Sequence, residues 1–121
     1  MNDDKVSVLI SVYAKELEAN LSAALESLRK QEYQPDEVVI IKDGPLGEGL
    51  DSIIAAFSGL FKEVKIIALK TNMGLGGALN EGLKACSYEL VARMDSDDIA
   101  LLPRLKLQRE FLIRNTDISA L

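Results

Sequence analysis

The stretch Val6-Ser-Val-Leu-Ile-Ser-Val-Tyr13 carries β-branched and apolar side chains on both of the faces that a strand would present. A strand with one wet face alternates apolar and polar residues, whereas a parallel strand covered on both faces shows a nearly continuous apolar run. We therefore predict a buried parallel strand over residues 6–13. Beyond Lys15 the period changes to that of an amphipathic helix. The residues of its apolar face are Leu17, Leu21, Ala24, Leu25 and Leu28.

The same succession of strand and helix continues along the chain. Further buried strands are predicted over residues 37–42, 64–69 and 89–94, which are rich in Val, Ile and Leu. A second helix is indicated by the apolar spacing of Ile53, Ile54, Phe57, Leu60 and Phe61.

The secondary structure after the third strand is harder to predict from the sequence. The glycine-rich residues 72–77 are predicted as a flexible loop, followed by a short helix over residues 78–85 in which Leu79 and Leu83 lie one turn apart. Pro103 favours the start of a last helix that runs to about Arg114. The order β-α, repeated four times, predicts an α/β fold with a Rossmann-like, doubly wound, mainly parallel sheet and right-handed crossovers.

The composition narrows the chemistry that such a fold can carry. The chain has 121 residues, enough for one domain, with a single cysteine, Cys86, which we expect in the core, and no histidine. These counts exclude an internal disulfide, a zinc site of several cysteines and nucleophilic catalysis by a Ser-His or Cys-His pair. Any metal would then be a hard ion held by carboxylates, with Mg²⁺ or Mn²⁺ the natural choice.

Charge and hydropathy restrict the partners and the location. The net charge is −5, and basic residues do not form a stripe interleaved with aromatics, so we expect no nucleic-acid partner. The first apolar run is far shorter than the roughly 20 residues of a membrane-spanning helix. The acidic N-terminus is unlike a secretory signal, and we expect a cytoplasmic protein.

Polar residues follow several of the predicted strands. In parallel α/β sheets ligands bind beyond the carboxyl ends of the strands. The positions that this rule selects are Ser11, Tyr13, Asp43, Gly44, residues 72–77 and residues 95–98. We expect them to lie at one edge of the sheet.

The acidic run Asp95-Ser-Asp-Asp98 is the strongest candidate among them. In an extended chain Asp95 and Asp97 would lie on one side about 6.5 Å apart, with Asp98 turned away. Two such charges repel by roughly 2 kcal/mol at an effective dielectric near 20, and a divalent cation would offset that repulsion. The alternative is a polar turn that caps the last helix. The position of the run after a buried strand favours a cation site.

The remaining candidates each have a structural and a functional interpretation. Asp43 is either part of a tight turn or an acceptor for a nucleobase N–H, and Tyr13 is either a packed aromatic residue or a stacking surface for a base. Asn72 and Asn80 are more typical of turns and caps than of ligand contacts. Arg93, a charge in an apolar strand, requires a solvated edge or an anionic partner.

Four segments together resemble the family-2 inverting glycosyltransferases of the GT-A fold, and look closest to bacterial enzymes of exopolysaccharide assembly of the amylovoran type. They share the order and spacing of that family across nearly the whole chain. The segments are Val6-Ser-Val-Leu-Ile-Ser-Val-Tyr13, Glu37-Val-Val-Ile-Ile-Lys-Asp-Gly44, Asn72-Met-Gly-Leu-Gly-Gly-Ala-Leu-Asn-Glu-Gly82, and Tyr88-Glu-Leu-Val-Ala-Arg-Met-Asp-Ser-Asp-Asp98 with Pro103-Arg104 after it.

The resemblance implies a role for each candidate residue. Ser11, Tyr13 and Asp43 would hold the base and ribose of a nucleotide-sugar donor. Asp95 would lie near the ribose, and Asp97, with Asp95, would bind the Mn²⁺ or Mg²⁺ that bridges the diphosphate. The other implied donor-binding residues are Asn72, Asn80 and Ser96. The chain departs from many relatives at Lys42 and Leu79, where they carry Asp and Arg.

The resemblance also implies a reaction and its partners. A sugar would pass from a UDP-sugar to a saccharide or lipid-linked saccharide with inversion, in bacterial surface-polysaccharide synthesis. Residues 1–121 would be the N-terminal donor-binding portion, inactive alone, because the general base and acceptor site lie beyond residue 121 in such enzymes. That later part could bring the protein to the inner face of the membrane. The alternatives are a nucleotidyltransferase and a nucleotide-binding module without catalysis.

Overall fold

The computed structural model describes residues 5–97 and residue 110. Four strands alternate with three helices in this part of the chain. They are β1 (Val6–Val12), α1 (Glu18–Arg29), β2 (Glu37–Lys42), α2 (Glu48–Ser58), β3 (Val64–Ala68), α3 (Gly74–Ala85) and β4 (Leu90–Asp95). Each strand bound lies within one residue of its prediction. The predicted last helix falls outside the described residues except for Glu110, which is helical.

The four strands form one parallel sheet in the order β3-β2-β1-β4. The chain steps outward from β1 to β3 and then returns to pair β4 with the other side of β1. In register, Ser11 near the end of β1 lies opposite Asp95 at the end of β4. The order of strands therefore reverses between β1 and β4, which is where ligands bind in open α/β sheets.

Helices cover both faces of the sheet. One core contains Val8 and Ile10 of β1 with apolar residues of α1 and α2. The other contains the alternate residue Leu9 with Ile41 of β2 and Ala78 of α3. Because successive side chains of a strand point to opposite faces, this division explains why β1 is mostly apolar on both faces. The Rossmann-like, doubly wound prediction is confirmed.

The predicted flexible loop over residues 72–77 is wrong from Gly74 onward, because α3 begins there. Gly74 has φ of +81°, a conformation that glycine adopts at little cost. Two side chains bind the first amides: Asp43 Oδ1 accepts the Met73 N–H at 2.7 Å, and Asn72 Oδ1 accepts the Gly74 N–H at 3.1 Å. These contacts satisfy donors that a helix leaves unpaired at its start, so a glycine-rich sequence is held as a helix.

The buried face of α3 also differs from its predicted apolar pair. Leu79 packs against the second core, but Leu83 is 42% exposed, and the residues of α3 that are fully covered are Ala78 and Gly82. A Cβ on Gly82 would lie 2.3 Å from Leu9 Cδ1 and 2.9 Å from Ile41 Cγ1. The missing side chain therefore lets α3 lie directly against β1 and β2.

The second predicted helix also ends earlier than its apolar pattern. Leu60 and Phe61 lie beyond the end of α2 at Ser58. Phe61 is nevertheless buried in the first core, whereas Leu60 is exposed. An apolar residue after a helix can satisfy the same periodicity as one within it, so the pattern alone does not fix where α2 ends.

A buried carboxylate joins the amino ends of the strands. Glu37 of β2 accepts hydrogen bonds from Ser7 Oγ at 2.8 Å and from the N–H and hydroxyl of Ser87 at 2.8 and 2.7 Å. Lys65 Nζ lies 2.9 Å from Glu37 Oε2, the same oxygen that accepts from the Ser87 hydroxyl. Burial raises the pKa of Glu37, but the hydrogen bonds from Ser87, Lys65 and Ser7 outweigh burial and hold this pKa below its usual value. We call these four residues the Glu37 network.

Cys86 lies beside the Glu37 network. It was predicted in the core and is half-buried against the second one, with its Sγ 3.4 Å from the Gly82 carbonyl oxygen. Burial, and then the charge of Glu37, raise the pKa of its thiol to about 11.

Within the part of the chain that is described, none of the helices combines the length and apolar character needed to span a membrane.

Candidate functional site

A cleft of about 450 Å³ opens at the carboxyl ends of β1, β2 and β4. It lies at the point where the strand order reverses. The lining residues are Ser11, Tyr13, Glu16, Asp43, Asn72, Gly74, Leu75, Asp95, Ser96 and Asp97. The structure thus brings together every residue that the resemblance assigned to the donor or the metal except Asn80, which is exposed on α3 and is not among these lining residues.

The cleft is acidic. Glu16, Asp43, Asp95 and Asp97 line it, and none of its lining residues in the described part of the chain is Lys or Arg. Asp95 and Asp97 are exposed, so their carboxylates are accessible to a ligand. An anion could enter this cleft favourably only with a cation to compensate the like charges.

The run Asp95-Ser-Asp-Asp98 does not continue as an extended chain. The strand ends at Asp95, and Ser96 and Asp97 form a turn. The spacing of about 6.5 Å expected for an extended chain therefore does not apply. The predicted orientation of Asp98 falls outside the described residues. The turn at Ser96 and Asp97 lines the cleft, and the start of the last helix that it was alternatively expected to cap lies outside the described residues.

Ser96 is buried between the two exposed aspartates, and its hydroxyl donates to Glu16 Oε2 at 2.8 Å. Glu16 belongs to the loop between β1 and α1, where its N–H donates to the Tyr13 carbonyl oxygen at 3.0 Å. Sequence reasoning missed Glu16. Its partner is 80 residues away, and one glutamate at the start of an amphipathic helix carries no signal of such a contact.

Asp43 contributes both to a turn and to the cleft. It is only 4% exposed, and its Oδ1 already accepts the Met73 N–H. The side chain of Asn72 is engaged as well, since its Oδ1 accepts the Gly74 N–H and its Nδ2 lies 3.4 Å from the Asp43 carbonyl oxygen. Gly44 permits this close approach, because a Cβ there would lie 3.0 Å from the Asn72 nitrogen.

Lys42, at the end of β2, is directed toward α2. Its Nζ lies 2.9 Å from Asp51 Oδ1, and Lys42 is not among the lining residues of the cleft that the structure describes. At the end of β2, the cleft is therefore lined by Asp43 and not by Lys42. Arg93 is exposed on β4, and this exposure is compatible with either of its two expected placements, at a solvated edge or beside an anionic partner.

Two apolar side chains border the cleft. Tyr13 is 46% exposed and Leu75 is 58% exposed, and both belong to its lining. Exposed apolar area inside a cleft is a binding surface for a flat or apolar group.

Residues 7–121 match the family described as Glycosyl transferase family 2. The chain belongs to this family. Two relatives resemble it over most of its length. It is 43% identical over 112 residues to "Amylovoran biosynthesis glycosyltransferase AmsE" of Erwinia amylovora, covering 93% of this chain and 42% of the relative. It is 42% identical over 123 residues to the "UDP-Gal:alpha-D-GlcNAc-diphosphoundecaprenol beta-1,3-galactosyltransferase" of Escherichia coli, covering 100% of this chain and 44% of the relative.

A solved structure of similar fold is the S. aureus TarS 1–349 complex with UDP. The TM-score is 0.78 at 29% sequence identity, covering 93% of this chain and 33% of that one. The glycosyltransferase family and the fold predicted from the sequence are thus confirmed. The chain spans less than half the length of the two relatives.

Proposed function

We propose that this chain forms the donor-binding part of a metal-dependent, inverting glycosyltransferase that uses a UDP-sugar. The observation that carries the proposal is the acidic cleft, which lies where the order of strands reverses between β1 and β4 in a domain of Glycosyl transferase family 2. The names of the two relatives support sugar transfer in surface-polysaccharide assembly, and the TarS complex supports UDP as the nucleotide.

The residues of the cleft fit a divalent cation shared with a diphosphate. In the described ranges, 5–97 and 110, no group of three His, Cys, Asp or Glu side chains is arranged to hold a metal alone. Mg²⁺ and similar ions are commonly held by one or two carboxylates together with substrate phosphates, and Asp97 and Asp95 are exposed carboxylates of that kind. The bound ion would neutralise the diphosphate and so stabilise it as a leaving group.

The contacts of Asp43 favour a base that presents one N–H. Its Oδ1 already accepts the Met73 N–H, so Oδ2 is the oxygen with more capacity to accept from a ligand, and the side chain of Asn72 is already engaged. Uracil offers a single imide N–H, whereas guanine offers neighbouring donors that call for two acceptors. Tyr13 and Leu75 would contact the flat face of the base. These contacts support UDP over GDP.

The proposed reaction is a single displacement at the anomeric carbon of the donor. A hydroxyl of a saccharide or lipid-linked saccharide would form a bond to this carbon while the bond from the carbon to the diphosphate oxygen breaks, so that UDP leaves and the configuration inverts. The proton of the hydroxyl would pass to a general base. The E. coli relative is named for an acceptor linked to diphosphoundecaprenol, which supports a lipid-linked acceptor here. An acceptor of that class would bring the protein to a membrane surface. The described cleft residues bind and orient the donor, and we assign the general base to none of them.

Calorimetric titration with UDP, dTDP and GDP, each with and without Mn²⁺, tests the proposal. UDP should bind with Mn²⁺ and at least about tenfold more weakly without it, because the cleft presents only like charges to the diphosphate. Asp97→Ala should abolish the gain from Mn²⁺ while leaving the far-UV circular dichroism unchanged. Glu89→Gln, which removes one exposed charge from the residue before β4, is the matched control and should bind as the wild type does.

Three outcomes would contradict the proposal. Equal affinity for UDP with and without Mn²⁺ would show that binding does not depend on the metal. Tighter binding of GDP than of UDP would contradict the role assigned to Asp43. Failure of every nucleotide to bind would show that the cleft is not a donor site.

A further inference from the structure

Ser96 and Glu16 join two loops across the reversal of strand order. The Ser96 hydroxyl donates to Glu16 Oε2 at 2.8 Å, in a contact that is partly buried, and Ser96 itself is covered. Ser96 belongs to the turn that follows β4, and Glu16 to the loop that follows β1. The hydrogen bond therefore joins the loop after β1 to the turn after β4, and both residues line the cleft.

The loop that carries Glu16 is itself restrained. Its N–H donates to the Tyr13 carbonyl oxygen at 3.0 Å, and α1 begins two residues later, at Glu18. The β4 turn is thus attached to a short, hydrogen-bonded segment next to the helix. A turn held in this way has fewer conformations to lose when a ligand binds.

The restraint acts at the position where the like charges meet. Ser96 stands directly between Asp95 and Asp97, both exposed in the cleft, and two neighbouring carboxylates repel each other when no cation is bound. Without the Ser96–Glu16 hydrogen bond the turn would relax so as to separate them, and cation binding would then have to reorder it.

We propose that Glu16 is a positioning residue of the cation site. By accepting the hydrogen bond from Ser96 it fixes the turn from Asp95 to Asp97 in the conformation that binds the cation, and it does not itself contact the cation. The inference rests on the proposed function, since it assigns a supporting group to the same donor site. It extends that function to a lining residue of the cleft in the loop between β1 and α1.

The test compares Glu16→Gln, Glu16→Ala, Ser96→Ala and the double alanine variant in the protein. The UDP affinity of each is measured by calorimetry with and without Mn²⁺, and the thermal midpoint of each is recorded. A glutamine keeps an oxygen that can accept from Ser96 but carries no charge. It therefore separates a role in positioning from a role that needs the negative charge.

The proposal predicts a specific pattern. Glu16→Gln should keep the affinity with Mn²⁺ within about threefold of the wild type, whereas Glu16→Ala and Ser96→Ala should each lower it by about five- to tenfold, as loss of one hydrogen bond does. The double variant should be no weaker than either single variant, because both remove the same contact. The affinity without Mn²⁺ should not fall in any of the four.

Four other outcomes would contradict the proposed role of Glu16. A loss in Glu16→Gln as large as in Glu16→Ala would mean that the charge itself acts on the cation. Additive losses in the double variant would mean that the two residues act separately. A loss of equal size with and without Mn²⁺ would mean a general disturbance of the cleft. A wild-type protein that binds UDP without regard to Mn²⁺ would overturn the proposed function, and the role of Glu16 with it.

Discussion

Gly82 shows how one absent side chain sets the distance between α3 and the sheet. An alanine there would bring its Cβ to 2.3 Å from Leu9 Cδ1 and 2.9 Å from Ile41 Cγ1, both of which are in the fully buried second core. Overpacking of a well-packed core commonly costs about 1–3 kcal/mol. We expect Gly82→Ala to lower the free energy of unfolding by that amount, measured by urea denaturation.

Gly76→Ala is the matched control for this substitution. Gly76 lies in the same helix, and a Cβ there would meet nothing within 4 Å. The alanine should raise the free energy of unfolding by up to about 1 kcal/mol, because it has the higher helix propensity. Equal effects of the two substitutions, in either direction, would contradict the close packing at Gly82.

Cys86 illustrates a residue whose chemistry is suppressed by its surroundings. Burial and the charge of Glu37 raise the pKa of its thiol to about 11, so at pH 8 only about one molecule in a thousand carries the thiolate. We expect a thiol-specific disulfide reagent to modify the native protein about a hundredfold more slowly than the urea-unfolded protein at that pH. Similar rates in the two states would show that the thiol is not shielded.

The residues of the cleft were predictable where a single strand determines them. Ser11, Asp43 and Asp95 lie at strand ends, and the rule that places ligands beyond the carboxyl ends of parallel strands applies to each on its own. Glu16 enters the cleft through a contact with Ser96, 80 residues away. Such a contact depends on how two loops meet in space, which no local pattern in the sequence encodes.

At the scale of elements, the Glu37 network connects the amino ends of the strands at the side of the sheet away from the cleft. Glu37 is completely buried and accepts hydrogen bonds from Ser7 of β1 and from Ser87, which precedes β4, while Lys65 of β3 pairs with it. Loss of a buried charge-assisted network commonly costs several kcal/mol. We expect Glu37→Gln to lower the free energy of unfolding by about 2–4 kcal/mol, measured by urea denaturation at pH 7. Glu32→Gln removes an exposed charge from the loop between α1 and β2, and it should change the free energy of unfolding by less than about 0.5 kcal/mol.

The same network gives a prediction for pH. The pKa of Glu37 in the folded protein lies below 4.5, its value without such surroundings, because hydrogen bonds outweigh burial. A carboxyl with a lowered pKa stabilises the fold fully above its unfolded pKa, and this contribution is lost as the pH falls through the folded value. The free energy of unfolding of the wild type should therefore fall more steeply below pH 4.5 than that of Glu37→Gln. Parallel curves for the two proteins would show that Glu37 does not carry the effect.

The strands were predictable because burial determines which side chains they carry. β1 and β2 are covered on both faces, and their mainly apolar sequences predicted bounds that lie within one residue of those in the structure. The start of α3 was not predictable, because its glycines have low helix propensity. The amides at the start of α3 bind Asp43 and Asn72, and the first of these lies 30 residues before Met73 in the chain. A tertiary contact thus overrode the local preference.

At the scale of the whole molecule, the alternation of strands and helices predicted a parallel sheet, but alternation alone fits several strand orders. The order β3-β2-β1-β4 becomes decisive because it brings the ends of β1 and β4 together and concentrates four carboxylates in one cleft. The molecule as a whole also has a net charge of −5. A nucleoside diphosphate therefore meets an unfavourable field both at long range and in the site.

This charge distribution predicts how ligands change the thermal stability of the protein. A ligand at a hundred times its dissociation constant stabilises a fold by about 2.7 kcal/mol, which raises the midpoint of a domain of this size by about 10 °C. UDP and Mn²⁺ together should produce a rise of that order, measured by scanning calorimetry, whereas UDP alone, which binds at least about tenfold more weakly, should produce no more than about half of it. In Asp97→Ala the two together should act no more strongly than UDP alone. An equal rise with UDP alone would mean that the protein compensates the diphosphate with its own cations, which the acidic lining of the cleft argues against.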